Sequence, residues 1–340
     1  AEMTASKSEA IAPRCGEICP DYEIQYRIEK ALLHPLEKDY GVQFVKAYTR
    51  SAATLHLGNP DLLRTPEALL RSVDYLLEVY DREELPFGLR FSFAEDRMRA
   101  VRQDSTITRI SGEIALIIFE KQISFIIRSE YRARFERSRA FEAQLHATAT
   151  EECFQKWSQL LADYGQANMN PSKLRREVAA AHCLKRAEAP ESLLMAFEYR
   201  SIMGQDLFKT VFDLLLTYRE GNSYGFFSLL SSLPASSLLR PACCPLVPPL
   251  RLTALATMAK AFKAPGIKLP LDVISAWLGF SSVVDARRCL AVAGVVVEGD
   301  GDYVLPAKMD VQRLTSTDRS EPVLIELECS LSLDSLTLGS

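Results

Sequence analysis

The sequence predicts a mainly α-helical protein, a stacked antiparallel helical array that is capped by a C-terminal winged helix with a small β-hairpin. Three observations predict this class. Apolar residues recur at helical spacing in successive segments that short turns separate. Glycine is scarce, with 15 residues in 340, which argues against an all-β fold and against glycine-rich phosphate loops. Finally, Gly294–Pro306 places two β-rich runs around Gly-Asp-Gly-Asp, a pattern typical of a hairpin.

Changes in composition along the chain predict its domain organisation. Apolar spacing predicts a helix over Val42–Leu57, and Thr65-Pro66-Glu67 is typical of a helix start, with an N-cap, a first-turn proline and an acid. A proline-rich stretch after residue 233 indicates an extended connector, and Val323–Leu327 is compatible with a strand. The predicted regions are a flexible N-terminus over 1–20, a stacked-helix domain over 21–233, the connector over 234–249, a winged-helix module over 250–309 and an acidic, Ser/Thr-rich tail over 310–340.

Charge and cysteine content limit the classes of function. The formal net charge of −4 gives no global attraction to nucleic acid, so such binding would need a local patch. Eight cysteines without framework spacing favour reduced thiols in the cytosol or nucleus. The N-terminus is polar and lacks the apolar core of a signal peptide. Charges interrupt the most apolar window, Ile114–Ile127, so we interpret it as a buried helix and expect no membrane contact.

Motifs of catalysis and of metal binding are missing from the sequence. It has no phosphate-binding Gly-x-x-x-x-Gly-Lys-Ser/Thr loop, no Gly-x-Ser-x-Gly elbow and no His-Glu-x-x-His helix, and its four histidines are dispersed. The pair Cys15 and Cys19 is the best metal candidate, but a structural zinc site needs a second pair, so we interpret both as free thiols. The prediction is a protein that is not an enzyme and has no cofactor, metal or small-molecule substrate.

The stretch Phe93–Thr108, FAEDRMRAVRQDSTIT, is the most conspicuous charged segment. Residues 97–139 carry ten bases and five acids, and helical spacing places several of the arginines on one face. One interpretation is a stripe that binds phosphate or acidic groups. The other is that the arginines connect helices by pairing with acids such as Asp96 and Asp104, and we favour it because acids interleave the first arginines.

The predicted winged-helix module offers a second candidate for nucleic acid. Its third helix would meet a groove of the nucleic acid through Arg287 and Arg288. Against this interpretation, the acidic residues Glu298, Asp300 and Asp302 at the tip of the wing would repel phosphates. We expect any contact to be with the backbone of the nucleic acid, without base-specific recognition. The candidate nucleic-acid-binding residues are Lys260, Lys263, Lys268, Arg287, Arg288 and Lys308.

Four segments in order resemble the SAC/GANP family of leucine-permease transcriptional regulators and germinal-centre-associated nuclear proteins. They are Cys19-Pro20-x-x-Glu23-x-x-x-Arg27, Val45-Lys-Ala-Tyr-Thr-Arg-Ser-Ala-Ala53, Asp96-Arg-x-Arg-Ala-Val-Arg-Gln-Asp-x-Thr106 and Gly221-Asn-x-Tyr-x-Phe-Phe-x-Leu229. Ser105 and Thr108 depart from the family's pattern, as does an extra residue in the last segment. The motif residues to which the resemblance assigns a structural or partner-binding role are Arg50, Asp96, Arg97, Arg99, Arg102, Gln103 and Asp104.

The resemblance implies a helical array of the PCI or TPR type with a winged helix. It implies a non-enzymatic scaffold that pairs with a PCI-type subunit and a small acidic protein of the DSS/SEM type. Together they would bind RNA or single-stranded nucleic acid through backbone contacts, in a nuclear complex at the nuclear pore that couples transcription to mRNA export. The alternative is a shorter family member that acts in the cytoplasm as an interaction protein at centrosomes and spindles.

Overall fold

The computed structural model describes residues 11–50, 58–136, 138–165, 170–299 and 303–327. The chain forms two compact units. The first comprises residues 1–129 and 136–168, and the second comprises residues 130–135 and 169–340. Helices dominate both units, which confirms the predicted fold class, and the short strands of the described residues all lie in the second unit.

The first unit is built on two long helices of the motif region and the helices around them. Thr65 begins the third helix as predicted, since its Oγ1 accepts a hydrogen bond from the amide of Ala68 at 3.3 Å. The charged residues with helical spacing that follow Phe93 lie on two helices, which residues 108–111 separate. The helices are α1 (Asp21–Glu29), α2 (Pro35–Asp39), α3 (Pro66–Asp81), α4 (Phe87–Ile107), α5 (Gly112–Glu136), whose residues 130–135 belong to the second unit, and α6 (Ala143–Tyr164).

Aromatic rings and apolar helix faces form the core of the first unit. The ring of Tyr80 meets that of Phe125 edge to face at 5.0 Å, and Phe91 stacks on Phe125 at 6.2 Å. The indole N–H of Trp157 donates to Glu120 at 3.2 Å, and both residues are buried. The window Ile114–Ile127 lies in α5 with most of its side chains buried. Across the described residues, no helix is both long enough and apolar enough to cross a membrane.

The helix predicted over Val42–Leu57 is wrong for its first part. Residues 41–50 form a non-helical segment, and residues 51–57 lie outside the described ones. The amide of Val42 bonds to the carbonyl of Leu36 at 3.1 Å, and that of Lys46 bonds to Ile18 at 3.1 Å. Because tertiary partners take these amides, the segment does not form the i to i−4 hydrogen bonds that a helix would need.

The predicted extended connector is also wrong, because residues 234–249 are largely helical. Leu239, Cys243 and Cys244 are fully buried, and the amide of Leu238 bonds to the buried carboxylate of Glu177 at 2.8 Å. Prolines fit here because they occupy first turns of helices, where a missing N–H costs little. The helices up to this point are α7 (Lys173–Lys185), α8 (Ser192–Glu198), α9 (Arg200–Met203), α10 (Gln205–Arg219), α11 (Ser223–Ser232) and α12 (Leu239–Ala242), with a 3-10 turn at Cys244–Leu246.

The C-terminal part of the second unit has the element order that a winged helix has. Three helices and three short strands follow one another in the order α13 (Val247–Ala261), β1 (Leu269–Pro270), α14 (Leu271–Trp277), α15 (Val283–Val292), β2 (Val297–Glu298) and β3 (Tyr303–Val304). The strands pair antiparallel in the order β1-β3-β2, with Val304 facing Leu269 and Val297, so the predicted hairpin is confirmed. Its turn, residues 300–302, lies outside the described residues. We call residues 247–304 the C-terminal module.

The chain after the C-terminal module packs against the core of the module as far as the described residues extend, to residue 327. Two helices follow, α16 (Val311–Ser316) and α17 (Pro322–Ile325), after a 3-10 turn at Pro306–Lys308. Leu314 and Leu324 are buried in the core of the module, and Ile325 packs with Tyr131 and Cys244. The strand that was compatible with Val323–Leu327 is therefore replaced by a buried helical turn.

Candidate functional site

The motif helix α4 carries a buried carboxylate that holds two cations. Asp104 is fully buried, and its two oxygens accept from Lys46 Nζ at 2.8 Å and from Arg64 Nε at 2.8 Å. Arg64, itself fully buried, also donates to Ser72 at 3.2 Å. We call these four residues the Asp104 cluster. Since a buried charge is tolerated only when it is paired, this cluster fixes three chain segments to one another.

A second cluster of buried charges forms around Glu37, which caps the start of α2. Its carboxylate accepts from Arg27 at 2.9 and 3.1 Å and from Arg97 at 3.3 and 3.4 Å. Arg97 also pairs with Asp96 at 2.9 Å. The interpretation of the motif arginines as connections between helices is confirmed at Arg97, whose partners are acids of α2 and of its own helix.

Three polar residues of α4 contact the non-helical segment 41–50. Gln103 donates to the carbonyl of Thr49 at 2.9 Å, and the carboxylate of Asp96 accepts from the amide of Tyr48 at 3.2 Å. The guanidinium of Arg99 lies 4.1 Å from the centre of the Tyr48 ring. Two of the four family-like segments therefore bind each other. Arg50 is exposed at the end of the segment, and residues 51–53 of that block lie outside the described ones.

Arg102 connects α4 to α5. It donates to Gln122 of α5 at 3.2 Å and lies 3.6 Å from the carboxylate of Glu95. The charged and polar residues of the motif thus contact other parts of the first unit. Sequence spacing identified its charged residues, but it could not identify Glu37, Lys46 or Arg64 as their partners.

Several of the candidate nucleic-acid-binding residues contact acids or a ring of the C-terminal module and of the chain that follows it. Lys308 lies 2.5 Å from Glu298, and Arg288 lies 3.2 Å from Asp285 and 3.7 Å from Glu326. Lys268 sits over the ring of Tyr303 at 4.4 Å. These contacts reduce the charge available for phosphate. Lys260, Lys263 and Arg287 are exposed on the surface.

The same module exposes four valine side chains that sequence analysis missed. Three valines of α15 are exposed to 41%, 65% and 37%, and Val296, just before β2, is exposed to 64%. The strand β2 lies at the edge of the sheet, so one row of its backbone groups is unpaired within the sheet. Exposed branched side chains beside an open strand edge are typical of protein-binding surfaces. We call this the valine face, and its residues are Val283, Val284, Val292 and Val296.

A buried arginine in the module was also missed. Arg251 is fully buried and lies 3.8 Å from the centre of the Phe280 ring. It donates to the carbonyls of Leu278 at 2.9 Å and of Leu324 at 2.9 Å, and burial lowers its pKa to about 10. It therefore connects α13 to the end of α14 and to α17.

The cysteines of the described residues are free and buried. Burial raises the pKa of the Cys19 thiol to about 12, so it is protonated and unreactive at neutral pH. Cys15 pairs through a backbone bridge with Arg64. In the part of the chain that the structure describes, no three histidine, cysteine or acidic side chains are grouped to hold a metal ion.

These features define a helical protein whose polar motifs hold its own segments together and whose C-terminal module exposes apolar side chains and a strand edge. The family model of the SAC3/GANP family matches residues 18–299. The match covers most of the chain, and the chain belongs to the SAC3/GANP family.

Two curated relatives are similar to parts of the chain. SAC3 family protein 1 of Schizosaccharomyces pombe is 31% identical over 102 residues, which cover 27% of this chain and 10% of that protein. SAC3 family protein B of Arabidopsis thaliana is 30% identical over 148 residues, which cover 39% of this chain and 8% of that protein. The matched segments thus span a tenth or less of these relatives.

Proposed function

We propose that this protein is a non-enzymatic scaffold subunit that acts, without a cofactor, in a nuclear complex coupling transcription to mRNA export. Membership of the SAC3/GANP family supports the role in mRNA export. The observation that carries the scaffold role is the valine face with its open strand edge, because exposed apolar side chains and an unpaired strand edge are features of surfaces that bind partners.

The partner that we propose for the valine face is a PCI-type subunit, whose own sheet edge would extend the sheet at β2. A small acidic protein of the DSS/SEM type would complete the assembly. The direct test is co-purification of the full chain with a PCI-type subunit. Val284→Asp and Val296→Asp place charges on the face, and we expect them to abolish the complex while the protein stays folded.

The matched control is Leu194→Asp, which charges an equally exposed apolar residue of α8, at 62% exposure. This variant should bind the PCI-type subunit as the wild type does. Equal binding by the valine variants would exclude the valine face as the partner site.

RNA would bind the assembly through phosphate contacts from the exposed candidate residues Lys260, Lys263, Lys268, Arg287, Arg288 and Lys308. We expect the affinity of the two-subunit complex for a single-stranded RNA to fall steeply with salt, and replacement of Lys260, Lys263 and Arg287 by alanine to flatten that dependence. A salt-independent affinity, or none, would exclude this part of the proposal. A tagged chain found only at centrosomes would exclude the nuclear role.

A further inference from the structure

The last described residues of the second unit lie beside the valine face. Leu327 is held by Tyr131, whose hydroxyl donates to the carbonyl of Leu327 at 2.7 Å and accepts from its amide at 3.3 Å. Glu326 lies 3.7 Å from the guanidinium of Arg288 on α15. Arg288 is four residues from a valine of the face in each direction, so it shares one side of the helix with both. The chain that follows Leu327 therefore starts next to the valine face.

The segment that follows, residues 328–340, lies outside the described residues, and its sequence suits an exposed apolar surface. It reads ECSLSLDSLTLGS, in which leucines recur at every second position in two pairs. These leucines are Leu331, Leu333, Leu336 and Leu338. Side chains at every second position of an extended chain point to the same side. The alternation is therefore typical of a strand with one apolar side.

The segment is long enough to reach across the face. Val284 and Val292 are separated by eight residues of helix, which span about 12 Å. The 13 residues of the segment span up to about 43 Å when extended. Because Leu327 is fixed beside α15, the tether gives the segment an effective concentration on the order of 1 mM at the face. A weak attraction is therefore sufficient to keep the face covered.

Charge and backbone groups of the module also complement the segment. The segment carries two acids, Glu328 and Asp334, and no base. Arg287 and Arg288 are exposed on α15. The strand β2 lies at the edge of the described sheet, where an extended segment can pair as a further strand. The apolar pattern, the charge and the backbone of the segment thus fit the same surface.

We propose that residues 328–340 fold back onto the valine face, where they pair with the edge of β2 and pack their leucines against the valines. The segment then competes with any partner for this surface, and a complex forms only when the partner displaces it. Control of assembly in this way rests on the function proposed above, in which the valine face is the partner site. The folding back itself is measured on the chain alone.

The test uses the full chain and a variant of it in which the four leucines are replaced by serine. We call this the four-serine variant, and its changes are Leu331→Ser, Leu333→Ser, Leu336→Ser and Leu338→Ser. The probe is a fluorescein-labelled peptide of residues 328–340, and fluorescence anisotropy measures its binding. We expect the peptide to bind the four-serine variant and to bind the wild type at least tenfold more weakly, because the wild-type segment already occupies the face. A peptide with the same four serines is the control and should bind neither chain.

Further variants identify the surface. In the four-serine variant, Val284→Asp with Val296→Asp should abolish peptide binding, since each places a charge among the leucines. Leu194→Asp charges an equally exposed residue outside the face, at 62% exposure, and should leave binding unchanged. Amide hydrogen exchange of residues 296–298 should be at least tenfold slower in the wild type than in the four-serine variant. Thermal unfolding of each variant separates lost binding from lost folding.

Three results would overturn the inference. They are no binding of the peptide to the four-serine variant, equal affinity of the peptide for this variant and the wild type, and equal exchange rates of residues 296–298 in the two chains. A dimer of the four-serine variant that binds no peptide and that Val284→Asp dissociates would assign the face to a second copy of the chain, which also overturns it.

Binding of a PCI-type subunit separates this inference from the proposed function. We expect the subunit to bind the four-serine variant about tenfold more tightly than the wild type, because no segment has to be displaced. If the subunit binds both chains equally and the peptide binds neither, the inference fails and the proposed partner site stands. If the peptide binds the four-serine variant and the subunit does not, the proposed function fails and the folding back of the segment stands.

Discussion

The motif helix α4 and the third helix of the C-terminal module, α15, both present arginines, and the two regions use them in opposite ways. In α4, Arg97 is buried and paired with a buried acid. In α15, Arg288 is 61% exposed and its acid partners are exposed or partly so. The same residue type is thus buried and paired on one helix and exposed on the other. Burial, which spacing does not reveal, separates the two.

The largest expected effect concerns the buried charges around α4. Asp104→Ala leaves Lys46 and Arg64 buried without their counter-ion, and we expect it to lower the free energy of unfolding by about 3 to 5 kcal/mol. Urea denaturation measures the change. As a control, Asp61→Ala removes an exposed carboxylate and should cost less than about 0.5 kcal/mol. Similar losses of unfolding free energy in the two variants would mean that burial does not decide how much a carboxylate contributes to stability.

Arg251 sharpens the comparison, because it is a buried arginine within the region whose other arginines are exposed. Arg251→Leu removes hydrogen bonds to the carbonyls of Leu278 and Leu324, and we expect a loss of about 2 to 3 kcal/mol. Arg319→Leu, at an exposed position of the same unit, is the control and should have little effect. If Arg251→Leu left the free energy of unfolding unchanged, burial would not be what decides how much an arginine contributes to stability.

The thiol of Cys19, beside the Glu37 cluster, gives a pH-dependent test. Its pKa rises from 9.0 in the unfolded chain to about 12 in the fold. Because the folded-state pKa is the higher one, its contribution is complete below pH 9 and is lost as pH rises from 9 toward 12. At pH 10 the loss is about 1.4 kcal/mol. The fall in unfolding free energy from pH 8 to pH 10 should be smaller by that amount in Cys19→Ala, and equal falls would contradict the burial of this thiol.

The smallest effect is expected at the exposed side of the comparison. Arg288→Ala should change the free energy of unfolding by less than about 0.5 kcal/mol, since its ion pairs are solvent-exposed. A loss comparable to that of Arg251→Leu, measured in the same urea series, would show that α15 uses its arginines internally after all.

Sequence patterns predicted those parts of the fold in which local signals and tertiary packing agree. The N-cap at Thr65 and the hairpin of β2 and β3 are examples, because the residues that form each structure are neighbours in the chain. The non-helical segment 41–50 was missed because its apolar spacing suits a helix. Its amides instead bond to Asp96 and Glu23, 48 and 24 residues away. Prolines in residues 234–249 were compatible with a connector and with helix starts alike.

The candidate sites were predictable to a similar extent. The acids within the motif indicated internal pairing, and Arg97 bears this out. The Lys46 and Asp104 side chains, by contrast, are 58 residues apart, and no periodicity joins positions at that distance. The valine face was missed because an exposed valine and a buried one look the same in a sequence.

The way in which α4 holds the segment 41–50 has a consequence for how the chain tolerates substitution. Asp96 accepts from the amide of Tyr48, which every residue type except proline provides, and Gln103 donates to the carbonyl of Thr49, which every residue type provides. A substitution at Thr49 therefore leaves its hydrogen bond in place, while a substitution at Asp96 or Gln103 removes one. Within this contact, the tolerant position lies in the segment 41–50 and the sensitive positions lie on α4.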